Sequence, residues 1–261
     1  MKMEPFALER WMTTWETRVQ YDLAESGIHP LRARDLLDLL PDAERASALH
    51  ALLDLRLGYS EARGTEALRG LLAATYRDAA PDEILVTTGA IEANFLLFQL
   101  LLEPGDHVVA CYPAYQQLYS VPRGLGCEVA YWRAREEDGF RFDVDDLARL
   151  VTRKTRLIVL NTPHNPTGAA LSDADVRRVY ALADAAGATV LSDEAYRWLD
   201  VPGGSRRRRR CSISGRGASA WARSRSRSAC RGCGSDGWPR TATSGRAAGR
   251  SGTTSRSAPD G

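Results

Sequence analysis

The 261-residue chain is 44% hydrophobic and 26% charged, which suits one large α/β domain or two small ones. Its net charge of +2 sums unlike pieces: up to Gly204 there are 21 Lys and Arg against 31 Asp and Glu, whereas the last 57 residues hold 14 Arg, no Lys and two acids. A uniform globular domain is thereby excluded; so are a membrane span, since the longest apolar run, 95–102, is broken by Gln99, and a disulfide framework, since only Cys111 and Cys127 precede the basic tail.

Residues 1–15 mix charged with apolar side chains and show no targeting signal, so a cytoplasmic location away from membranes is expected, with no metal site. Residues 7–57 read as helical segments, with Leu36, Leu37, Leu39 and Leu40 before Pro41 and a second stripe at Leu49, Leu52, Leu53 and Leu57. After Gly64 a helix over 65–77 puts Leu68, Leu71 and Leu72 on one face. Beyond Pro81, β-rich runs at 84–88, 107–112, 128–133, 157–161 and 189–192 alternate with helices at 92–102, 144–150 and 173–185. Mostly apolar strands between helices predict a mainly parallel sheet covered on both faces, with ligands beyond the carboxyl ends of its strands. From Ser205 onward Ile213, Trp221 and Trp238 are the only large apolar residues, too few to offset the entropy of ordering the segment, so a disordered tail is expected. The chain thus divides into an N-terminal helical segment, 1–57, an α/β unit, 58–204, and an Arg/Ser/Gly-rich tail, 205–261.

Four strand ends carry candidate chemistry. Thr87-Thr88-Gly89-Ala90-Ile91-Glu92 opens into a helix whose free amides and dipole suit a phosphate, although an ordinary strand-to-helix turn reads the same. Tyr112-Pro113-Ala114-Tyr115 sets a ring beyond the sheet edge, either to stack on a flat ligand or to close the core. Asn161-Thr162-Pro163-His164-Asn165-Pro166-Thr167-Gly168 is rigid enough to fix an amide in space, its Asn-Pro bond able to be cis. Ser192-Asp193-Glu194-Ala195-Tyr196 brings a carboxylate to the rim, to pair with a protonated ring nitrogen or to cap a helix.

Taken together, these residues resemble the class I/II aminotransferases, pyridoxal 5'-phosphate enzymes of fold type I, over roughly residues 20 to 200. The resemblance implies a three-layer α/β/α large domain, incomplete here, with 58–204 as a partial cofactor-binding domain. It implies that Asp193 pairs with the pyridine nitrogen, that Asn165 and Tyr196 hydrogen-bond the ring oxygen, and that Tyr115 stacks on the ring. The Gly89 turn, through the Ala90 and Ile91 amides, would bind the phosphate. Tyr59, in Gly58-Tyr59-Ser60, would reach the phosphate of a homodimer partner, and Gly27 would face the substrate carboxylate. Amino acid and 2-oxo acid substrates follow, with a carbon–sulfur lyase or related elimination enzyme as the alternative.

The family's Schiff-base lysine should lie about a strand beyond Asp193, yet no lysine follows Lys154. The codon table suggests the cause. Reading the last, degenerate base of each tail codon with the first two bases of the next lets positions 211–239 spell MLDLGPRGISVGTLSKPFGLPGLRIGWMA, and 252–260 spell RDYISLSPG. The inner run, SKPFGLPGLRIGW, is similar to the family's lysine motif, with the lysine where Ser226 stands and a phosphate-binding arginine where Gly234 stands. A slipped reading frame between about codons 202 and 210 is therefore expected, leaving an inactive chain that lacks two interior strands and the C-terminal small domain.

Two rival readings concern the tail and one loop. Clustered Arg can form a nucleic-acid-binding arm, but these Arg residues lack a repeat unit and no specific nucleic-acid partner is expected. Cys230-Arg231-Gly232-Cys233 has zinc-knuckle spacing without a second pair, and is read as chance. His164 is read as a variable loop side chain rather than a general base.

Overall fold

The computed structural model describes residues 2–24, 26–27, 30–76, 79–197 and 199, and the backbone of 218–222 and 233–236. Four helices come first: α1 (Ala7–Trp15), α2 (Ala33–Leu37), α3 (Asp42–Leu53) and α4 (Glu66–Ala73). The Thr65 hydroxyl caps α4 by accepting from the Leu68 N–H at 3.3 Å. The predicted helix over 65–77 is thus shorter at its C-terminal end.

Next come β1 (Ile84–Val86), α5 (Ala90–Leu101), β2 (His107–Tyr112), α6 (Gln117–Gly124), β3 (Glu128–Arg133), α7 (Val144–Leu150), β4 (Thr155–Asn161), α8 (Asp173–Ala186) and β5 (Thr189–Asp193). Every predicted strand and helix of this region is present, β2, β3 and α7 with the expected bounds. Helix α6 was not predicted. It contains Pro122 and polar Gln117 and Ser120 on a buried face, which obscures its periodicity.

The sheet has seven strands in the order β1-β7-β6-β5-β4-β2-β3, where β6 is Ala218–Ala222 and β7 is Cys233–Asp236. Strands β2 to β6 are parallel, whereas β7 runs antiparallel to both β6 and β1. This corrects the expectation that the tail supplies neither interior strand. The physical reason is that ladder hydrogen bonds use backbone groups alone, and neither run contains proline. The expected disorder of the rest of the tail lies outside the described residues, as do Ser226 and Cys230.

Interior strands alternate between two apolar layers. Val108, Ala110, Leu157, Val159 and Leu191 join Leu97 and Phe98 of α5 and Leu118 and Val121 of α6. Val109, Ile158, Leu160 and Val190 join Leu147 of α7 and Val179 and Ala183 of α8, beside Trp132. Helices on both sides give the three-layer arrangement and explain why these strands read as continuous apolar runs. Cys111 and Cys127 are free and buried, and no described helix is long and apolar enough to cross a membrane.

Because Leu157 and Ile158 are both fully buried but face opposite layers, truncating either to alanine is expected to cost about 2–5 kcal/mol in urea unfolding. A neutral result at either position would contradict burial of that face.

Candidate active site

Strand order turns back on itself between β2, which pairs with both β3 and β4, and the parallel run towards β6. A crevice opens there beyond the carboxyl ends of the strands, as expected where topology switches. It is a cavity of about 410 Å³. Thr88, Gly89, Ala90 and Ile91 line it from the β1–α5 turn, Tyr115 from the loop after β2, Asn161 and Asn165 from β4 and its loop, and Asp193 and Tyr196 from β5 and beyond.

Local chemistry explains these placements. Gly89 has φ +94°, a conformation costly for other residues, and caps α5 so that the chain turns sharply from strand into helix. The Thr88 N–H is taken by the Glu92 carboxylate at 2.5 Å. The amides of Ala90 and Ile91 belong to the first helical turn, where no intrahelical acceptor exists.

Asn161 and Asp193 are register partners at the ends of β4 and β5. The Asn161 Nδ2 donates to the Asp193 carbonyl at 2.9 Å, and its Oδ1 accepts from the Asn165 N–H at 2.7 Å. The Asn165–Pro166 bond is cis. His164, 3% exposed, joins the neighbouring loop: its Nε2 meets the Pro113 carbonyl and its Nδ1 the Thr167 hydroxyl, both at 2.7 Å. Burial holds its imidazole below the usual pKa. It is a brace beneath the site and does not line the cavity.

Asp193 is 4% exposed and accepts from the Ala195 N–H at 3.0 Å and from Asn94 Nδ2 at 3.1 Å. The first contact closes a turn, and no helix follows Asp193 among the described residues, so the helix-cap alternative is not what the structure shows. Tyr196 and Ser26 share a hydrogen bond of 2.7 Å between their hydroxyls. Behind the site, Glu194 and Arg197 form a buried ion pair at 3.1 Å, with the guanidinium over the Tyr76 ring at 4.4 Å. Burial pushes the Glu194 carboxyl up to about 7 against the opposing pull of Arg197, while the nearby Asp193 charge adds to the rise. Burial likewise pushes the Cys111 thiol up to about 12, leaving it an inert core group.

Two predicted residues do not line the cavity. Gly27 stands aside while its neighbour Ser26 lines it. Tyr59 is fully exposed, away from the cavity of its own chain. Conversely, sequence reasoning missed Asn94, Gln117 and the α1 side chains Leu8, Glu9 and Met12, all of which line it. Asn94 had a readable signal, being the polar member of the buried Ala93, Asn94, Leu97 and Phe98 face of α5. Helix α1 had none, because its position over the cavity depends on distant contacts such as Gln116 Nε2 to the Pro5 carbonyl at 3.0 Å.

The family model described as aminotransferase class I and II matches residues 30–206. The chain belongs to this family. Capreomycidine synthase of Streptomyces vinaceus is 35% identical over 162 residues, 62% of this chain and 41% of that protein. The chain therefore spans less than half the length of this curated relative. A PLP-dependent aminotransferase from Streptococcus suis superposes with a TM-score of 0.76 at 31% identity, over 90% of this chain and 63% of that one. The PLP-dependent cyclase OrfR superposes at 0.68 with 29% identity, over 85% and 56%.

The donor set suits the family's cofactor, pyridoxal 5'-phosphate. A buried carboxylate is available for a cationic nitrogen, the start of a twelve-residue helix for a phosphate, and Tyr115 for a flat face. The buried Oδ1 of Asn94 has no hydrogen-bond partner among the described residues, so polar capacity remains in the cavity wall.

Glu194 gives this region a pH signature. Its folded-state pKa, about 7, lies above the ordinary 4.5, so the native state binds the proton more tightly. Its contribution to stability is present below the unfolded value and is lost as pH rises through about 7. His164, held low, works in the opposite sense as pH falls through its ordinary value. Comparing urea unfolding at about pH 8 and about pH 5.5, Glu194→Gln is expected to lose the wild type's Glu194-dependent gain on acidification. Equal pH dependence in the two proteins would refute the assignment.

Proposed function

We propose that this chain carries the cofactor-binding part of an aminotransferase that moves an amino group between an amino acid and a 2-oxo acid, and that with its Arg/Ser/Gly-rich tail it does not complete that reaction. The observation that carries this reading is the convergence of Asp193, Asn165, Tyr196, Tyr115 and the start of α5 on one cavity. When bound, pyridoxal 5'-phosphate supplies an electron-accepting ring that stabilises negative charge on the substrate carbon. Asp193 would keep the ring nitrogen protonated by charge pairing, Asn165 and Tyr196 would hydrogen-bond the ring oxygen, Tyr115 would cover a face, and the Ala90 and Ile91 amides would hold the phosphate. Tyr59, exposed on its own chain, suits a role in the cavity of a homodimer partner. Gly27, next to Ser26, would lie towards the substrate carboxylate.

Inactivity rests on the missing lysine. Neither Lys2 nor Lys154 lines the cavity, and no lysine follows Lys154. A slipped reading frame accounts for this. The family match stops at residue 206, where the composition changes. The two tail strands, Ala218–Ala222 and Cys233–Asp236, also coincide with GISVG and LRIG of the alternative reading. A frame slip alters side chains while leaving the number of residues between elements unchanged, which supports this explanation.

A second reading, a reaction other than amino transfer with the same cofactor, is favoured by the likeness to a synthase and a cyclase. The nucleic-acid-arm reading falls on tail residues outside those described.

Two measurements test the proposal. Incubating the full chain with pyridoxal 5'-phosphate, reducing with borohydride and weighing the product is expected to yield no specific stoichiometric adduct; finding one would overturn the claim of inactivity. Sequencing the gene across codons 202–210 is expected to show the slip, and restoring the frame to give a lysine at position 226 and amino transfer. An intact locus encoding this tail would refute the frame explanation.

A further inference from the structure

We infer that Asn94 is a positioning residue for Asp193, holding its carboxylate in the orientation and charge state that a cationic ring nitrogen requires. The inference rests on the cofactor reading of the cavity. Asn94 stands four residues after Ala90 on α5, so it shares the face that opens the helix towards the cavity. It is 1% exposed, and its Nδ2 donates both to Asp193 Oδ2 at 3.1 Å and to Gln117 Oε1 at 3.3 Å.

A chain of hydrogen-bond constraints orients this amide. The Ile91 backbone carbonyl can only accept, so Gln117 must turn its Nε2 towards it. That leaves the Gln117 Oε1 facing Asn94, which must then present Nδ2 rather than Oδ1. The same Nδ2 lies against Asp193, where a flipped amide would set acceptor against acceptor. With the Ala195 N–H on the other oxygen at 3.0 Å, each carboxylate oxygen receives a neutral donor. Such donors favour the ionised form without bringing a charge of their own.

Packing alone gives no reason for the amide. The neighbours of Asn94 on the buried face are Ala93, Leu97 and Phe98, among which a leucine would bring no unmet polar group. Instead the fold buries Oδ1 without a partner among the described residues. The orientation that serves Asp193 is the one that leaves Oδ1 unmet.

The test uses the full chain and pyridoxamine 5'-phosphate, whose amine cannot condense with Lys2 or Lys154, followed by fluorescence titration across a pH series. Asn94→Leu is expected to weaken binding about tenfold and to move the acid limb of the affinity profile up by about one pH unit, with far-UV circular dichroism unchanged. Gln117→Leu is expected to move the limb in the same direction by less, and Asp193→Asn to remove it. An Asn94→Leu profile that overlays the wild type while Asp193→Asn loses binding would overturn the inference and leave the cofactor reading standing. Wild-type binding by Asp193→Asn would overturn that reading, and the inference with it. Should Asn94→Leu fail to fold, Gln117→Leu decides by the same limb, and an unmoved limb there overturns the inference.

Discussion

Asn161 and Asp193 meet at the ends of two neighbouring parallel strands, and the amide of one donates to the backbone carbonyl of the other at 2.9 Å. Because that asparagine also accepts from the Asn165 backbone, one side chain ties β5 to the loop carrying the second predicted ring ligand. Register therefore decides which groups meet at this rim. A one-residue slip between β4 and β5 would turn Asp193 to the opposite face and separate the acid from the amide.

The loops are linked as well as the strands. His164 fastens the loop after β4 to the Pro113 carbonyl after β2, two residues before Tyr115. Asn94 and Gln117 connect α5, α6 and Asp193 through side-chain amides. The cavity wall is thus assembled from polar contacts between elements whose apolar layers already fix their spacing. The buried Glu194–Arg197 pair extends the same end of the sheet back to the Thr75 carbonyl, after α4.

The sheet also shows what backbone hydrogen bonding tolerates. Strands β6 and β7 occupy positions between β5 and β1 although their sequences, Ala-Ser-Ala-Trp-Ala and Cys-Gly-Ser-Asp, carry none of the branched apolar residues of β2 and β4. Connection length and an extended, proline-free run suffice to complete a ladder. Chemistry is different. A ladder cannot supply an amine, and no lysine follows Lys154 in this chain.

From the sequence by itself came the alternation of strands and helices, the parallel sheet, and the residues at its rim. Apolar runs bounded by Gly and Pro signals are local properties, and Asp193, Asn165, Tyr115 and the Gly89 turn stand where those runs end. The absence of lysine after Lys154 and the changed composition of the tail are local properties as well. Only the tertiary structure decided which groups share the cavity: that Asn94 of a helix interior and Gln117 of an unforeseen helix face Asp193, that α1 lies over the opening, and that Gly27 and Tyr59 stand outside it. Those relations depend on contacts between residues far apart in the chain, 99 positions for Asn94 and Asp193 and 170 for Ser26 and Tyr196, which no local pattern of side chains encodes.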